Sequence, residues 1–263
     1  MLRTVRATRY VTPLREGGSL PAIVEADDDG LYVVKFSGAG QGPKALVAEL
    51  VAGEIGRRIG LLVPEIVLVD LDPALGRAEP DREIQELLER SPGINLGLDF
   101  LPGALSFEPA VGPAPTPEQA ADVVWFDALI TNLDRTARNP NLLVWHRRLW
   151  LIDHGAALYV QHTWRDPDEH ARRPFEQIRD HVLLPFAGSI EDADDRLAGR
   201  ISGGVLTTIV ELIPDAWLAA AGTPAAPDPE PSILRRRYVD YLLRRLERGR
   251  SFVEEAERAR IRA

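Results

Sequence analysis

The chain has 263 residues, 45% of them apolar, which suits one two-lobed domain or two small ones with ample material for a core. Its formal charge of -9 disfavours duplex nucleic acid as the main partner, since phosphate contacts need a basic face; a nucleotide needs only a local cationic pocket and metal. There is no cysteine, which removes disulfides, thiolate nucleophiles and Cys-bound zinc.

The first residues, Met1 to Arg9, lack the apolar core of a signal peptide, and no run approaches the roughly 18 apolar residues of a membrane span. The expectation is a soluble, cytoplasmic protein that engages no membrane. Arg15 to Pro21 contains Gly17, Gly18 and Ser19, whose backbone N–H groups are candidates to meet phosphate, although a Gly-Gly pair is more often only a turn. Ala22–Ala26 and Leu31–Phe36 are β-like and are joined by the turn signal Asp27-Asp-Asp-Gly30. Lys35 ends the second strand, where a nucleotide-binding sheet can aim an ammonium at the α- and β-phosphates. A second Gly-rich stretch, Ser37 to Gly42, lacks the Gly-Lys-Ser/Thr ending of a Walker sequence and reads as a flexible lead-in to a helix.

Pro43 suits the first turn of that helix, which runs to about Gly60 with Leu46, Val47, Leu50, Val51, Ile55 and Ile59 at helical spacing. It carries two carboxylates able to hold Lys35. Glu49 sits at the margin of the apolar arc and Glu54 inside it; Glu49 is preferred, but the wheel does not decide between them. Val63–Asp70 reads as a strand, Arg82–Arg90 as a charged surface helix, and Ile94–Gly103 as a strand running into a connector. Within that connector Asp99, Phe100 and Leu101 either read an adenine edge with backbone groups and pack on its ring, or simply end the strand. Pro109, Pro113, Pro115 and Pro117 mark a rigid join between lobes.

A helix opening at Pro117 leads through Trp125, Phe126, Leu129 and Ile130 into the loop Asn132–Asn139. Asn141–Trp145 and Leu149–Asp153 form a hairpin joined through Arg147-Arg148, which returns Asp153 beside that loop. Residues 156–180 read as polar, irregular and potentially mobile. Helices are expected at 191–201, 203–212 and 232–260, with a Pro/Ala-rich loop at 222–231 and no internal repeat.

Asp134, Asn139 five positions on, and Asp153-His154-Gly155 after one more strand have the layout of a kinase catalytic loop and metal-binding turn. Oxygen ligands must converge on cations that bridge one nucleotide's phosphates, so two leave a short loop together and another comes from a neighbouring strand end. The chemistry assigns Asp134 to orienting or deprotonating the acceptor hydroxyl, and Asn139 and Asp153 to Mg²⁺. Arg135 or Arg138 would balance charge or touch phosphate, or form a structural ion pair; Asn132 and Asn141 would brace the loop or serve as alternative ligands. His146, His154, His162 and His170 recur every eight residues, a period that no single face supports, so zinc is disfavoured.

With these residues in view, the chain resembles the HipA-like kinases, of the protein-kinase and phosphoinositide-kinase superfamily. The matching residues are Tyr32-Val-Val-Lys35-Phe36, Ala48-Glu49 through Ile59-Gly60-Leu61-Leu62-Val63-Pro64, Asn132 to Asn139, and Ile152-Asp153. The resemblance implies an α+β fold with two lobes: a small antiparallel β lobe with one helix, over residues 1–103, and a mainly helical catalytic lobe over 104–263. It implies ATP and Mg²⁺ as cofactors and transfer of the γ-phosphoryl to a hydroxyl, most often Ser/Thr of a protein. It also implies that Lys35 holds phosphate, favours Glu49 over Glu54, makes Asp134 the base, and makes Asn139 and Asp153 metal ligands. The alternatives are a small-molecule acceptor and a nucleotide-binding module without turnover. Nothing in the sequence fixes the oligomeric state.

Overall fold

The computed structural model describes residues 2–14, 20–40, 42–110, 114–219 and 230–263. The amino-terminal part holds β1 (Thr4–Pro13), β2 (Ala22–Ala26), β3 (Leu31–Lys35), α1 (Pro43–Ile59), β4 (Ile66–Leu71), α2 (Arg82–Glu89) and β5 (Gly93–Asp99). The strands close into a barrel in the order β1-β2-β3-β5-β4. Every pairing is antiparallel except β1 with β4, which runs parallel and seals the seam.

Alternation along the strands separates two packing faces. Val5, Ala7, Ala22, Val24, Ala26, Tyr32, Val34, Val67 and Val69 fill the barrel interior, closed at one end by Phe36 and by Ile84, Leu87 and Leu88 of α2. A five-stranded barrel is narrow, so small side chains line it. Gly97 of β5 is the extreme case: a Cβ there would lie 2.7 Å from Val69 Cγ2 and 2.9 Å from Val67 Cγ2. The outer-face residues Ile66, Leu96 and Leu98 instead join the larger core, which also takes in α1 and the carboxy-terminal helices. Helix α1 therefore packs on both parts of the molecule.

The carboxy-terminal part begins with β6 (Leu105–Ser106) and α3 (Pro117–Ile130). Thr116 and Gln119 form a capping box at the start of α3, with Pro117 in the first turn. The helix is buried from Val123 to Ile130 and ends at Thr131, held at φ 53°. Next come β7 (Leu142–Trp145) and β8 (Arg148–Leu151), which complete a three-stranded sheet with β6. Helices α4 (Pro167–Arg172), α5 (Ile190–Leu197), α6 (Gly203–Val210), α7 (Asp215–Ala219), α8 (Pro231–Arg245) and α9 (Ser251–Arg262) follow. Trp217 of α7 donates its indole N–H to the Ile94 carbonyl of β5 at 2.8 Å, tying the helical part to the barrel. Among the described residues no helix is long and apolar enough to cross a membrane.

The structure shows a two-lobed α+β fold and departs from the sequence reading in several elements. Strand β1 was not expected, because only Val5 and Ala7 of its residues are buried and its pattern carries many Arg and Thr. Helix α2 is not merely a surface helix, since one face closes the barrel. The hairpin turn falls on His146 and Arg147, both at positive φ (48° and 63°) as a two-residue turn of the mirror-image type requires, so Arg148 already belongs to β8. Residues 156–180 are irregular but packed: Ala157, Leu158, Val160, Ala171, Phe175 and Ile178 are buried in the main core. The span expected as one helix over 232–260 breaks between α8 and α9, where Gly249 adopts φ 76°.

If the barrel interior is as full as the Gly97 contacts indicate, Gly97→Ala should destabilise the protein by about 1–3 kcal/mol. The denaturant midpoint measures this, and an unchanged midpoint would show that the interior has room to spare.

Candidate active site

Lys35 leaves the end of β3 pointing under the barrel, and its side chain is 10% exposed. Its Nζ lies 2.5 Å from Glu49 Oε2 on α1 and also donates to Asp153 Oδ1, from the turn after β8. Three segments far apart in sequence thus meet at one ammonium. Glu54, the other candidate on α1, faces Arg57 instead, 3.4 Å away.

Glu49 is fully buried, and every contact offsets the cost of burying its charge. Oε2 takes Lys35 and the backbone N–H of His154 at 2.7 Å; Oε1 meets His154 Nδ1 at 3.1 Å. Burial works to raise the Glu49 pKa, but the Lys35 ammonium and the His154 hydrogen bonds outweigh it and hold the carboxyl at about 2. Burial likewise opposes the charge on Lys35, and Glu49 and Asp153 more than compensate, raising its pKa. Since a carboxylate accepts, His154 Nδ1 carries its proton. The ring packs edge-on to Phe126, its centre 5.8 Å away. Asp153 sits at φ 56°, a left-handed turn that lets the backbone N–H of the following residue face Glu49 while the aspartate faces Lys35.

The loop after α3 is held by a second buried network. Asp127, fully buried near the end of α3, accepts Arg135 Nε at 2.5 Å, His181 Nε2 at 2.9 Å and Asn132 Nδ2 at 2.9 Å. Burial pushes the Asp127 pKa up, but Arg135 and His181 overcome that and hold it well below the usual carboxylate range. His181 Nδ1 accepts the Leu183 N–H at 3.0 Å, so the imidazole is neutral with its proton on Nε2. Burial lowers its pKa. Arg135 also donates to the carbonyls of Asn141 and Ile152, and Ile152 N–H donates to the Asn141 carbonyl at 3.1 Å. The guanidinium thus fastens the loop to the strand that delivers Asp153.

Asp134 accepts Asn139 Nδ2 at 2.7 Å and Asn141 Nδ2 at 3.2 Å, both on Oδ2, while its N–H donates to Asn132 Oδ1 at 3.1 Å. These contacts point the Asn139 amide nitrogen at Asp134 and leave its Oδ1 as the atom able to ligate a cation. Asp153 Oδ2, which no described side chain takes, is the other hard oxygen of a kind that could hold a divalent cation. Among the described residues there is no group of three His, Asp or Glu side chains arranged to hold a metal ion by themselves.

Other candidates are placed differently. Gly17, Gly18 and Ser19 lie outside the described residues, as does Gln41 of the second Gly-rich stretch. That stretch is anchored rather than flexible at its start: Ser37 N–H donates to Asn95 Oδ1 at 2.8 Å and Gly38 N–H to Ser91 Oγ at 3.0 Å. The N–H groups of Asp99 and Phe100 donate to the carbonyls of Glu65 and Leu31 and are taken up within the fold, and Leu101 is buried. Asn132 and Asn141 brace the loop, Arg135 is the structural ion pair, and Arg138 is exposed. The sequence reading missed Asp127, His181 and the role of His154. A carboxylate inside the otherwise apolar run Val123–Ile130 was the one signal available for Asp127.

These buried groups fix the sign of the acid response. Glu49 has a folded pKa near 2 against an ordinary 4.5, so its contribution is complete above about pH 5 and is lost as pH falls towards 2. Asp127 acts in the same sense. His181, whose folded pKa lies below 6.5, adds a loss that begins as pH drops through that value, because the unfolded chain takes the proton first. Thermal midpoints should therefore fall steadily from neutral to acid pH, and Glu49→Gln should flatten the acid part of the curve. A wild-type profile that is flat or rises towards acid would contradict the assigned charges.

The solved structure of a Helicobacter pylori proinflammatory kinase, CtkA, superposes with a TM-score of 0.59 at 16% identity, covering 98% of this chain and 99% of that one, which shows a shared fold. A Golgi casein kinase structure with Mn/ADP bound reaches a TM-score of 0.44 at 12% identity, covering 95% of this chain and 74% of its own, too distant for further argument. No curated protein matches. The family model for HipA-like kinases matches residues 8–241, nearly the whole of the sequence, and the chain belongs to that family.

Proposed function

We propose that the protein is an ATP- and Mg²⁺-dependent phosphotransferase that moves the γ-phosphoryl group to a hydroxyl, with Ser or Thr of a protein as the acceptor. The observation that carries this reading is the ammonium of Lys35 held between Glu49 and Asp153. We take residues 1–103 as the nucleotide-binding lobe, 104–263 as the catalytic lobe, and the cytoplasm as the working location. The nucleotide lies in the cleft between Lys35 and Asp153, with the connector Asp99, Phe100 and Leu101 beside its base.

Each residue then has a task. Glu49 keeps Lys35 extended, so that its ammonium has one fixed partner and one exchangeable one, Asp153. Lys35 would exchange Asp153 for nucleotide phosphate, and Asp153 would then be one of the residues that hold the cation. Asn139 adds its Oδ1. Bound Mg²⁺ supplies neutralisation of phosphate charge. Asp134, fixed through Oδ2 by two amides, offers Oδ1 to the acceptor hydroxyl and takes its proton. Catalysis rests mainly on positioning and fixed charge.

With γ-labelled ATP and a mixed protein acceptor, Asp134→Ala should lower turnover by about 10²–10⁴-fold while leaving nucleotide affinity nearly unchanged. Equal turnover in the two proteins would remove Asp134 from the reaction. Asp153→Ala should instead lose the Mg²⁺-dependent part of nucleotide binding, measured by calorimetry with and without the metal. If ATP binding keeps its full metal dependence in that variant, the ligand assignment fails.

A further inference from the structure

We infer that a second cleft, on the flank of the Asp134 loop away from Lys35, takes an anionic group, a carboxylate or phosphate carried by the acceptor protein. Its place on the acceptor side rests on the kinase reading above; its chemistry does not. The cavity is about 310 Å³, and its walls include Thr131, Leu133, Tyr159, His170, Arg173 and Arg245. Leu133 immediately precedes Asp134, and Tyr159 lies on the chain leaving the Asp153 turn, so the cleft borders the place where an acceptor hydroxyl must sit.

Three observations give the cleft its sign. Arg245 is 2% exposed, and among the described residues no carboxylate pairs with it. Its guanidinium donates to the carbonyls of Ala128 and Leu129, each at 2.7 Å, and Ala171 at 3.2 Å, and stands 4.9 Å from the Phe252 ring centre. Carbonyl dipoles at the end of α3 soften that charge but do not cancel it. Burial lowers the Arg245 pKa, and the neighbouring Tyr241 hydroxyl offsets that only in part. Arg173, at the end of α4, supplies a second cation. Its present partner is the exposed Glu169, and exposed pairs contribute little and are readily exchanged.

The third observation is Thr131. It is 3% exposed, strained at φ 53°, and its hydroxyl makes no hydrogen bond of normal geometry. The Tyr241 hydroxyl, which meets His170 Nδ1 at 3.0 Å, also stands near Thr131 and Arg245 and is the protein group that comes closest to completing the threonine. A buried hydroxyl held only by so poor a contact gains free energy from a ligand that completes it. Capping of α3 by Arg245 accounts for that residue alone; it leaves the Thr131 hydroxyl and the convergence of Arg173 unexplained. His170 reports the local field: burial, then Arg245 and Arg173, all lower its pKa. Glu176 stands at the exposed rim and sets a limit on how strongly an anion is held.

The test is equilibrium binding of O-phosphoserine and of N-acetylglutamate to the full-length protein, with and without an ATP analogue and Mg²⁺. Saturable binding that the analogue does not displace is expected, weakened about tenfold or more in Arg173→Gln and Thr131→Val but kept in Thr131→Ser, which retains the hydroxyl. The tighter of the two ligands identifies the group as phosphorylated or simply acidic. Equal binding in wild type, Arg173→Gln and Thr131→Val, no binding, or binding abolished by the analogue would overturn the proposal; unaltered thermal midpoints of the variants show that a loss is not unfolding. With a Ser/Thr peptide library and labelled ATP, an acidic or phosphorylated residue at one fixed offset should be preferred by wild type and not by Arg173→Gln. Turnover without an offset preference would remove the cleft from the acceptor side, whereas absence of any phosphoryl transfer with anion binding intact would count against the proposed function instead.

Discussion

The site depends on a single buried carboxylate. Glu49 has no exposure and two oxygens, and both are committed: one shared by Lys35 and the His154 backbone, the other on the His154 ring. A charge in that position is tolerated only while all its partners are present, because removing one leaves the rest uncompensated in a low-dielectric interior. This requirement fixes β3, α1 and the turn after β8 relative to one another. It also explains why α1 is packed by both parts of the molecule, on Ile66, Leu96 and Leu98 from the barrel and on the carboxy-terminal helices from the other side. A helix so enclosed holds Glu49 in place without needing a ligand to draw it in.

The second network does for the loop what Glu49 does for the lysine. Asp127 gathers Arg135, His181 and Asn132, and Arg135 passes the constraint to the carbonyls of Asn141 and Ile152, the latter directly before Asp153. Asp134 and Asn139 can then be exposed or half-buried and still be well placed, since the atoms that position them are deeper than they are. The division is physically sensible. Groups that must meet solvent-borne reactants stay accessible, and the charges that orient them are desolvated, where electrostatic interactions are strongest.

That Lys35 and Asp153 meet, and that Asp134 and Asn139 pair in one loop, was legible in the sequence from residue types and their spacing. Lys35 at a strand end, Asp134 and Asn139 in one loop and Asp153 two positions before Gly155 form a pattern that needs no knowledge of their surroundings. The α1 helix was legible for a different reason: its apolar period, Pro43 and Gly60 mark it at both ends. Less legible were features set by long-range partners. Glu49 and Glu54 differ only in what the fold brings to them, a lysine in one case and Arg57 in the other. His181 is separated by 54 residues from the aspartate it serves, and no local pattern announces it. Strand β1 pairs with both β2 and β4 at the barrel seam, so its strand character comes from neighbours rather than from its own residues.

In the proposed function one nucleotide is shared between the lysine of the barrel and the oxygens of the helical part. The most direct measurement is a crystal structure with a non-hydrolysable ATP analogue and Mg²⁺. The account predicts Lys35 Nζ on the α- or β-phosphate with Glu49 still bonded to it, and a metal ion bound by Asp153 and Asn139. Phosphates bound elsewhere, or a metal that touches neither Asp153 nor Asn139, would contradict it.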